Sequence, residues 1–199
     1  YEEYRPDPEE LEKQRKRKWK NPPKISIAVP AYQTPEKFLR QMMDSVLEQT
    51  YENWELCIVN ASPKDTSMEY ILREYSRKDE RIRWKKLEEN KGIAENTNEA
   101  LAMTTGDYVG LLDHDDLLAP NALYEVASAL EREPDTEVIY TDEDKVRGEE
   151  LEHFQPHLKP DFSPDLLRSN NYICHFFVVK KSILEKTGGF RRDYDGAQD

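Results

Sequence analysis

Three aspartates, Asp113, Asp115 and Asp116, stand together immediately after a nearly uncharged apolar run. Carboxylates this close repel one another and need a compensating cation, and a divalent ion bound by oxygen ligands is the natural partner. The spacing therefore predicts a cation-binding group. The simpler alternative is a solvated acidic turn that caps the next helix, a role that suits Asp116 best.

The run that precedes these acids, residues 106–112, has the composition of a strand buried on both faces, as in a parallel sheet. Ligands of such sheets usually bind at the carboxyl edge of the strands, which is where the acids fall. His114 lies between them, but neighbouring side chains of an extended chain face opposite sides. We therefore expect His114 to be packed or hydrogen-bonded rather than part of the cation group.

Strands and helices alternate before the acidic group. Strand-like segments occupy residues 24–29, 56–59 and 82–87. A helical spacing of apolar residues follows each of them, beginning near Thr34, Met68 and Ala94. The stripe of the first helix consists of Phe38, Leu39, Met42, Met43, Val46 and Leu47. This alternation predicts an α/β fold with a mostly parallel central sheet flanked by helices, in which the ends of the first, second and fourth strands meet at one crevice.

The second half of the chain is less regular. We predict a helix at residues 122–130, a short strand at 138–140 and, after it, a second acidic cluster at 142–144. The Pro-rich residues 151–171 are expected to be an irregular loop, which in a compact domain is often functional. Residues 174–179 resume strand character, and 187–190 mark a tight turn.

The composition narrows the class of ligand. The 199 residues carry a formal net charge of −12, so a broad electrostatic attraction to nucleic acid is excluded. Cys57 and Cys174 lie in apolar segments without metal-ligand spacing and are predicted to be buried thiols in a reducing compartment. No apolar stretch approaches the ~20 residues of a membrane span, so we expect a soluble protein.

Residues 1–23 differ in composition from the rest, with acids first, then six Lys and Arg residues between positions 13 and 20, then Asn21-Pro22-Pro23. We interpret them as a charged helix and linker that precede one domain over residues 24–199. The basic cluster is suited to a peripheral contact with phospholipid head groups or another anionic partner, although a charge run is usually a solvated face.

No glycine-rich phosphate loop follows the first strand, where the chain reads Val29-Pro30-Ala31-Tyr32-Gln33. The dinucleotide-binding and P-loop classes are therefore excluded. Without a backbone cradle, a diphosphate in the crevice would depend on a metal ion held by the acids. Such an arrangement is typical of nucleotide-sugar sites.

Motifs across residues 24–199 resemble, in order and spacing, those of family 2 glycosyltransferases of the GT-A fold. The segments that carry the resemblance are 27–32 (IAVPAY), Asn90-Lys91-Gly92 with Asn96, the Asp113-His114-Asp115-Asp116 motif, 140–145 (YTDEDK), 159–167 (KPDFSPDLL), 171–173 (NYI), and Gly188-Gly189-Phe190 followed by Gln198-Asp199. Those from 140 to 173 resemble a bacterial subgroup associated with O-antigen, rhamnan and other surface polysaccharides.

The resemblance implies a cytoplasmic enzyme, at the inner face of the cell membrane, that uses a divalent metal, Mn²⁺ or Mg²⁺. Its donor would be a nucleotide-diphosphate sugar, a UDP- or dTDP-sugar, and its acceptor a saccharide or lipid-linked saccharide. Transfer would be an inverting single displacement in which a carboxylate removes the acceptor proton.

The resemblance also implies roles for individual residues. Asp115 would bind the metal, Asp113 would accept from the ribose hydroxyls or hold a metal-bound water, and Asp199 would be the catalytic base. The other nucleotide contacts implied are Pro30, Ala31, Tyr32, Asn60, Lys91 and Asn96. Candidate contacts to the donor or acceptor sugar are Asp142, Asp144 and His175; for the two acids a solvated turn is an equal alternative.

Asn60 departs from the family, which often has an aspartate here that pairs with uracil. An amide both donates and accepts, so Asn60 is still able to pair with a pyrimidine edge, while a purely structural asparagine at a strand end is an equal alternative. Asp199 is the last residue given, so we expect a catalytic domain cut short at its C-terminus that binds nucleotide and metal better than it transfers sugar.

Two other classes stay open from the sequence. A nucleotidyltransferase also places acids at a strand end, but it would normally show a glycine-rich loop after the first strand. A non-catalytic interaction domain would use the same acids to bind a structural cation.

Overall fold

A central sheet of six strands forms the domain, which we describe from a computed structural model over residues 5–195. The strand order is β3-β2-β1-β4-β8-β5. The strands are β1 (Ile25–Ala31), β2 (Trp54–Asn60), β3 (Ile82–Lys86), β4 (Tyr108–Leu111), β5 (Val138–Tyr140) and β8 (Phe177–Lys180). A separate hairpin consists of β6 (Glu143–Arg147) and β7 (Glu152–His157).

Seven helices connect or flank these strands in the described part of the chain. They are α1 (Pro8–Arg15), α2 (Glu36–Leu47), α3 (Thr66–Lys78), α4 (Ile93–Leu101), α5 (Ala122–Arg132), α6 (Pro164–Ser169) and α7 (Lys181–Thr187), with a short 3-10 helix at Arg192–Tyr194. No helix within residues 5–195 combines the length and the apolar composition needed to cross a lipid bilayer.

The first four strands run parallel, with α2, α3 and α4 as their crossovers. β1 pairs with β2 from Ile25 opposite Trp54 to Ala31 opposite Asn60, and it pairs with β4 on its other side. The carboxyl ends of β1, β2 and β4 therefore lie together, as the alternation predicted. β8 runs antiparallel to both β4 and β5, so the sheet is mostly parallel.

Buried side chains cover both faces of this sheet. One core packs the odd-numbered residues of β1 against α2, α3 and α5, and a smaller one packs Ala28, Val59 and Val109 near α4. The stripe predicted for the first helix is buried at Leu39, Met42, Met43 and Val46. Phe38 was assigned wrongly to that stripe, since its side chain is 44% exposed.

The predictions for the second half of the chain were partly wrong. Residues 151–171 contain β7 and α6 instead of a continuous irregular loop, and the last strand begins at Phe177, after the predicted start at 174. Cys57 is buried as predicted, but Cys174 is only partly buried.

The segment before the sheet packs against the domain. Arg17 donates to Tyr124 Oη (2.9 Å) and to Ser128 Oγ (2.8 Å) on α5, and it lies 4.0 Å from the centre of the Trp19 ring. The Trp19 ring meets those of Tyr51 and Tyr124 edge-on, at 5.1 and 5.4 Å. Through these contacts, residues 17–19 pack against the outer surface of α5.

Candidate functional site

The acidic segment follows β4 directly at the carboxyl edge of the sheet. Leu112 N donates to Ala28 O, which extends the pairing of β4 with β1 by one residue and places Asp113 at the edge. The glycine in β4 has a specific role, because a Cβ on Gly110 would overlap the ring of Phe176. The absence of that Cβ lets residues 175–176 lie against β4, next to the acids.

Asp113, Asp116 and His175 form one group. Their potential ligand atoms all lie within 4.8 Å of one another, and His175 Nε2 is 3.6 Å from Asp113 Oδ2. Two carboxylates and an imidazole suit Mn²⁺, which accepts both oxygen and nitrogen ligands. The residues present therefore fit the divalent cation that the acidic motif implies.

The environment of Asp116 supports this fit. Burial raises the pKa of Asp116; His175 opposes that rise, whereas the charges of Asp113 and Asp115 add to it. A carboxylate whose ionised form is penalised by burial and by like charges gains most from a bound cation. The predicted alternative, that Asp116 caps the next helix, is wrong, since the N-cap of α5 is Asn121.

Asp115 lies outside this group, with a side chain that is 53% exposed. Asp115 Oδ1 lies 3.7 Å from Nδ1 of the neighbouring His114. His114 Nδ1 is buried and has no hydrogen-bond partner among the described residues. His114 is thus packed, and the direct ligation predicted for Asp115 stays a prediction from the motif.

The residues predicted to contact the nucleotide are mostly enclosed. Pro30 and Ala31 are buried inside β1, whereas Tyr32, which follows them, is 41% exposed. Lys91 Nζ pairs with Glu99 Oε1 at 2.7 Å. At the end of β1, Tyr32 therefore presents more accessible surface than Pro30 or Ala31.

Asn96 is 3% exposed and shapes the turn before α4. Its Oδ1 accepts from Lys91 N (3.2 Å) and its Nδ2 donates to Asn90 Oδ1 (2.8 Å). Gly92 follows with a φ of +92°, in the region that favours glycine. Asn96 therefore stabilises the Asn90–Gly92 turn, and its own contact to a nucleotide stays a prediction.

Asn60 ends β2 with no exposed surface. Its Oδ1 accepts from Ser62 N at 2.8 Å, and its Nδ2 is buried without a hydrogen-bond partner among residues 5–195. The bond to Ser62 is the local side-chain-to-backbone turn that asparagine favours at strand ends. The structural alternative for Asn60 thus has direct support, while a base contact stays a prediction.

The two acids after β5 each have a hydrogen-bonding partner, although Asp142 is exposed. Asp142 Oδ1 accepts from Lys159 N (2.7 Å), and Asp144 Oδ2 lies 2.9 Å from His153 Nδ1. Between them, Glu143 accepts from His175 N at 3.0 Å. Burial would raise the pKa of Glu143, but the hydrogen bond from His157 and the charge of Lys159 hold it below its usual value.

Glu143 and Lys159 were missed as site residues by sequence reasoning. Both stand in motifs that had been noted, YTDEDK and KPDFSPDLL, but a single sequence does not show which charged residue of a polar segment is buried. The signal that could have found Lys159 is a lysine beside a proline, Pro160, in a segment expected to be functional.

The predicted base Asp199 lies outside the described residues. The chain that leads towards it is held on α4, where Asn98 Oδ1 accepts from Phe190 N and Asn98 Nδ2 donates to Phe190 O, both at 2.8 Å. Asp195 Oδ1 accepts from Ala94 N (3.0 Å) in the first turn of the same helix. The helix that begins at the Asn90–Gly92 turn thus also holds residues 190–195.

A mostly parallel sheet in the order β3-β2-β1-β4, with acids at the end of β4, is the architecture of GT-A glycosyltransferases. The chain belongs to glycosyl transferase family 2, whose model matches residues 26–188. Membership of this family, which the motifs predicted, is thus confirmed.

Three comparisons show what the chain is similar to. The chain is 40% identical over 176 residues to the O-antigen biosynthesis protein RfbC of Myxococcus xanthus, a match that covers 88% of this chain and 14% of RfbC. Residues 1–349 of TarS from S. aureus, solved in complex with UDP, superpose with a TM-score of 0.68 at 19% identity, covering 88% of this chain and 52% of that one.

The third is the mannosyltransferase PcManGT from Pyrobaculum calidifontis, solved with GDP-Man and Mn²⁺. It superposes with a TM-score of 0.62 at 20% identity, covering 95% of this chain and 55% of that chain. The chain therefore spans only part of the length of each of these relatives. At these identities the two structures establish the fold.

Proposed function

We propose that this domain is a metal-dependent inverting glycosyltransferase that moves a sugar from a nucleotide-diphosphate donor to a saccharide or lipid-linked acceptor in bacterial surface-polysaccharide synthesis. The observation that carries the proposal is the group formed by Asp113, Asp116 and His175 at the carboxyl edge of the sheet. Similarity to the O-antigen protein RfbC supports the pathway class. The complexes of TarS with UDP and of PcManGT with GDP-Man and Mn²⁺ support the kind of donor and metal.

We assign the metal, Mn²⁺ or Mg²⁺, to Asp113, Asp116 and His175. When bound, a divalent ion would supply Lewis-acid stabilisation of the charge that develops on a diphosphate leaving group. The protein contributes a preorganised set of ligands, since His175 is held by its backbone and Asp113 by the end of β4. Asp115, exposed beside this group, remains a second candidate ligand from the motif.

On the donor side, Tyr32 and the Asn90–Gly92 turn would border a UDP or dTDP moiety. On the acceptor side, Asp199 would remove the proton of the attacking hydroxyl, and Asp142 and Asp144 would act through the hairpin segment that they hold in place. We place the reaction in the cytoplasm, at the inner face of the cell membrane, where lipid-linked acceptors are found.

The first experiment is calorimetric titration with UDP, dTDP and GDP, with and without Mn²⁺. We expect nucleoside diphosphate binding that requires Mn²⁺ and that falls by about tenfold or more in the Asp113→Asn and Asp116→Asn variants. Asp115→Asn tests whether Asp115 is itself a ligand. If this variant keeps the Mn²⁺-dependent affinity for nucleotide, the ion is bound by Asp113, Asp116 and His175 without Asp115. Asp165→Asn is the matched control, since that aspartate is 95% exposed on α6.

Absence of any metal-dependent nucleotide binding would exclude the proposed donor chemistry and favour the cation-binding interaction domain. The role of Asp199 is tested separately by sugar transfer from the preferred donor, in which Asp199→Asn should lower kcat and leave nucleotide affinity unchanged.

A further inference from the structure

Lys159 is a charged residue with an almost completely buried side chain, which is 1% exposed. A buried ammonium group is stable only when it is paired and hydrogen-bonded. The reason is that moving a charged group from water into the protein interior costs far more free energy than moving a neutral side chain. Lysine at such a position therefore indicates a specific arrangement of acceptors around Nζ. The structure shows that arrangement next to the metal-binding group.

Three oxygen atoms surround the Lys159 ammonium group. Nζ donates to Ile173 O at 2.6 Å and to His175 O, and it lies 3.5 Å from Glu143 Oε2. Two of the three ammonium donors are thus used by backbone carbonyls, and Glu143 supplies the opposite charge. Both carbonyls belong to the segment that carries His175.

Glu143 holds the same segment from the other side. Its Oε2 accepts from His175 N at 3.0 Å, and its Oε1 lies 2.9 Å from His157 Nδ1. The backbone N–H of His175 is thus fixed by Glu143 and its carbonyl by Lys159, while these two side chains balance each other's charge. The His175 imidazole extends towards the acids, with Nε2 3.6 Å from Asp113 Oδ2.

We propose that Lys159, paired with Glu143, is a positioning residue that holds His175 at ligand distance from Asp113 and Asp116. The proposal rests on the proposed function, because it assumes that this group binds a divalent cation. Its physical basis is preorganisation: a ligand whose backbone is fixed on both sides loses little conformational freedom when the ion binds. Partners that orient metal ligands in this way typically change metal affinity by 10–100-fold when removed.

The test is Mn²⁺ binding in the presence of UDP, followed by the electron paramagnetic resonance signal of free Mn²⁺. Lys159→Met keeps the length of the side chain and removes the charge and donors, and we expect Mn²⁺ to bind about tenfold more weakly or worse. Lys181→Met is the matched control. Lys181 Nζ also donates to a backbone carbonyl, that of Thr104 at 2.6 Å, but at the amino edge of the sheet.

A double-mutant cycle with His175→Ala separates positioning from general destabilisation. If Lys159 acts through His175, adding Lys159→Met to His175→Ala should cost no further Mn²⁺ affinity. Lys159→Arg, which keeps a cation and donors, should recover part of the affinity lost in the methionine variant. Should Lys159→Met not fold, Glu143→Gln takes its place, with the same expected loss and the same cycle.

The outcomes distinguish the two proposals. If the wild-type protein binds no Mn²⁺ with UDP, the metal-dependent function itself fails. If the wild-type protein binds Mn²⁺ and the folded Lys159→Met or Glu143→Gln variant binds it equally well, the positioning role is wrong. Equal losses in Lys159→Met and Lys181→Met would likewise overturn it, because both would then reflect a loosened fold.

Discussion

Glu55 is a carboxylate enclosed at the amino edge of the sheet, at the opposite end from the candidate site. Its side chain is 4% exposed and accepts hydrogen bonds from Ser26 Oγ at 2.6 Å and from Lys24 Nζ at 2.9 Å. Burial alone would raise its pKa, but the bonds from Ser26, Lys24 and Thr105 lower it to about 2. Glu55 therefore stabilises the folded state only while it is ionised.

This pKa gives the sign of a pH dependence. Because the pKa of Glu55 is lower in the folded chain, its contribution is complete above the reference value of 4.5 and is lost as the pH falls towards about 2. The shift corresponds to a contribution on the order of 3 kcal/mol. We expect Glu55→Gln to lower the free energy of unfolding by about that amount at pH 7, and by progressively less below pH 4.5.

Urea denaturation over a pH series measures this difference. Glu9→Gln serves as the control, since Glu9 is 80% exposed in an ion pair on α1 and such pairs contribute little. A stability difference between wild type and Glu55→Gln that stayed constant from pH 7 down to pH 3 would contradict the assigned role of Glu55.

Which aspartate faces which way could be predicted from the sequence only in part. Strand alternation predicted that His114 faces away from the acids, whereas the choice of Asp115 as metal ligand came from the family motif. The chain leaves the extended conformation after Leu111, where β4 ends, so period-two alternation no longer applies to residues 113–116. His175 joins the group through the close approach at Gly110, a tertiary contact that no local pattern encodes.

At the scale of elements, the reliability of the sequence pattern follows the strength of its periodicity. The helices α2 and α3 bury the predicted apolar stripes, apart from Phe38, because a 3.6-residue repeat is read directly from the chain. The hairpin of β6 and β7 escaped prediction, since it is rich in charge and contains Pro156. Its strands pair with each other outside the main sheet, so no buried face imposes alternation on them.

The packing of the N-terminal segment on α5 could not be predicted from the sequence either, because the residue that makes most of the contacts, Arg17, is charged. Arg17 packs its guanidinium against Trp19 and bonds to Tyr124, Ser128 and Glu131. In a hydropathy pattern, Arg17 cannot be distinguished from the other basic residues between positions 13 and 20. The stem and planar head of an arginine nevertheless cover apolar surface while the donors reach polar partners.

We expect Arg17→Ala to lower the free energy of unfolding by about 1–3 kcal/mol, since it removes hydrogen bonds to partly buried groups and the contact with Trp19. Lys16→Ala, one residue earlier, should change it by less than about 0.5 kcal/mol, because Lys16 is 78% exposed and 3.8 Å from Glu12. Thermal or urea unfolding of both variants makes the comparison. Equal effects would show that residues 17–19 do not stabilise the domain.

At the scale of the whole molecule, the acidic charge and the site have to be reconciled. A chain with a net charge of −12 repels a free nucleoside diphosphate at long range. The nucleotide binding that we propose would therefore need a local reversal of the electrostatic field, which a divalent cation between Asp113 and Asp116 would supply. We therefore expect the cation to bind before the nucleotide or together with it.

Thermal unfolding of the whole chain reports this directly. A ligand present at about 100 times its Kd stabilises the folded state by about 2.7 kcal/mol, which for a chain of this size raises Tm by roughly 5–10 °C. We expect Mn²⁺ with UDP to produce such a rise, and UDP alone to produce almost none. A full shift with UDP in the presence of a chelator would contradict the need for a cation.

The helix α4 touches both halves of the reaction that we propose. Its first turn follows the Asn90–Gly92 segment, and Asn98 and Asp195 hold residues 190–195 against it. Two ligands that each order one side of a shared helix are thermodynamically linked, and the linkage is reciprocal. If donor binding orders the acceptor side through α4 and so raises the affinity for acceptor, acceptor binding must raise the affinity for donor by the same factor.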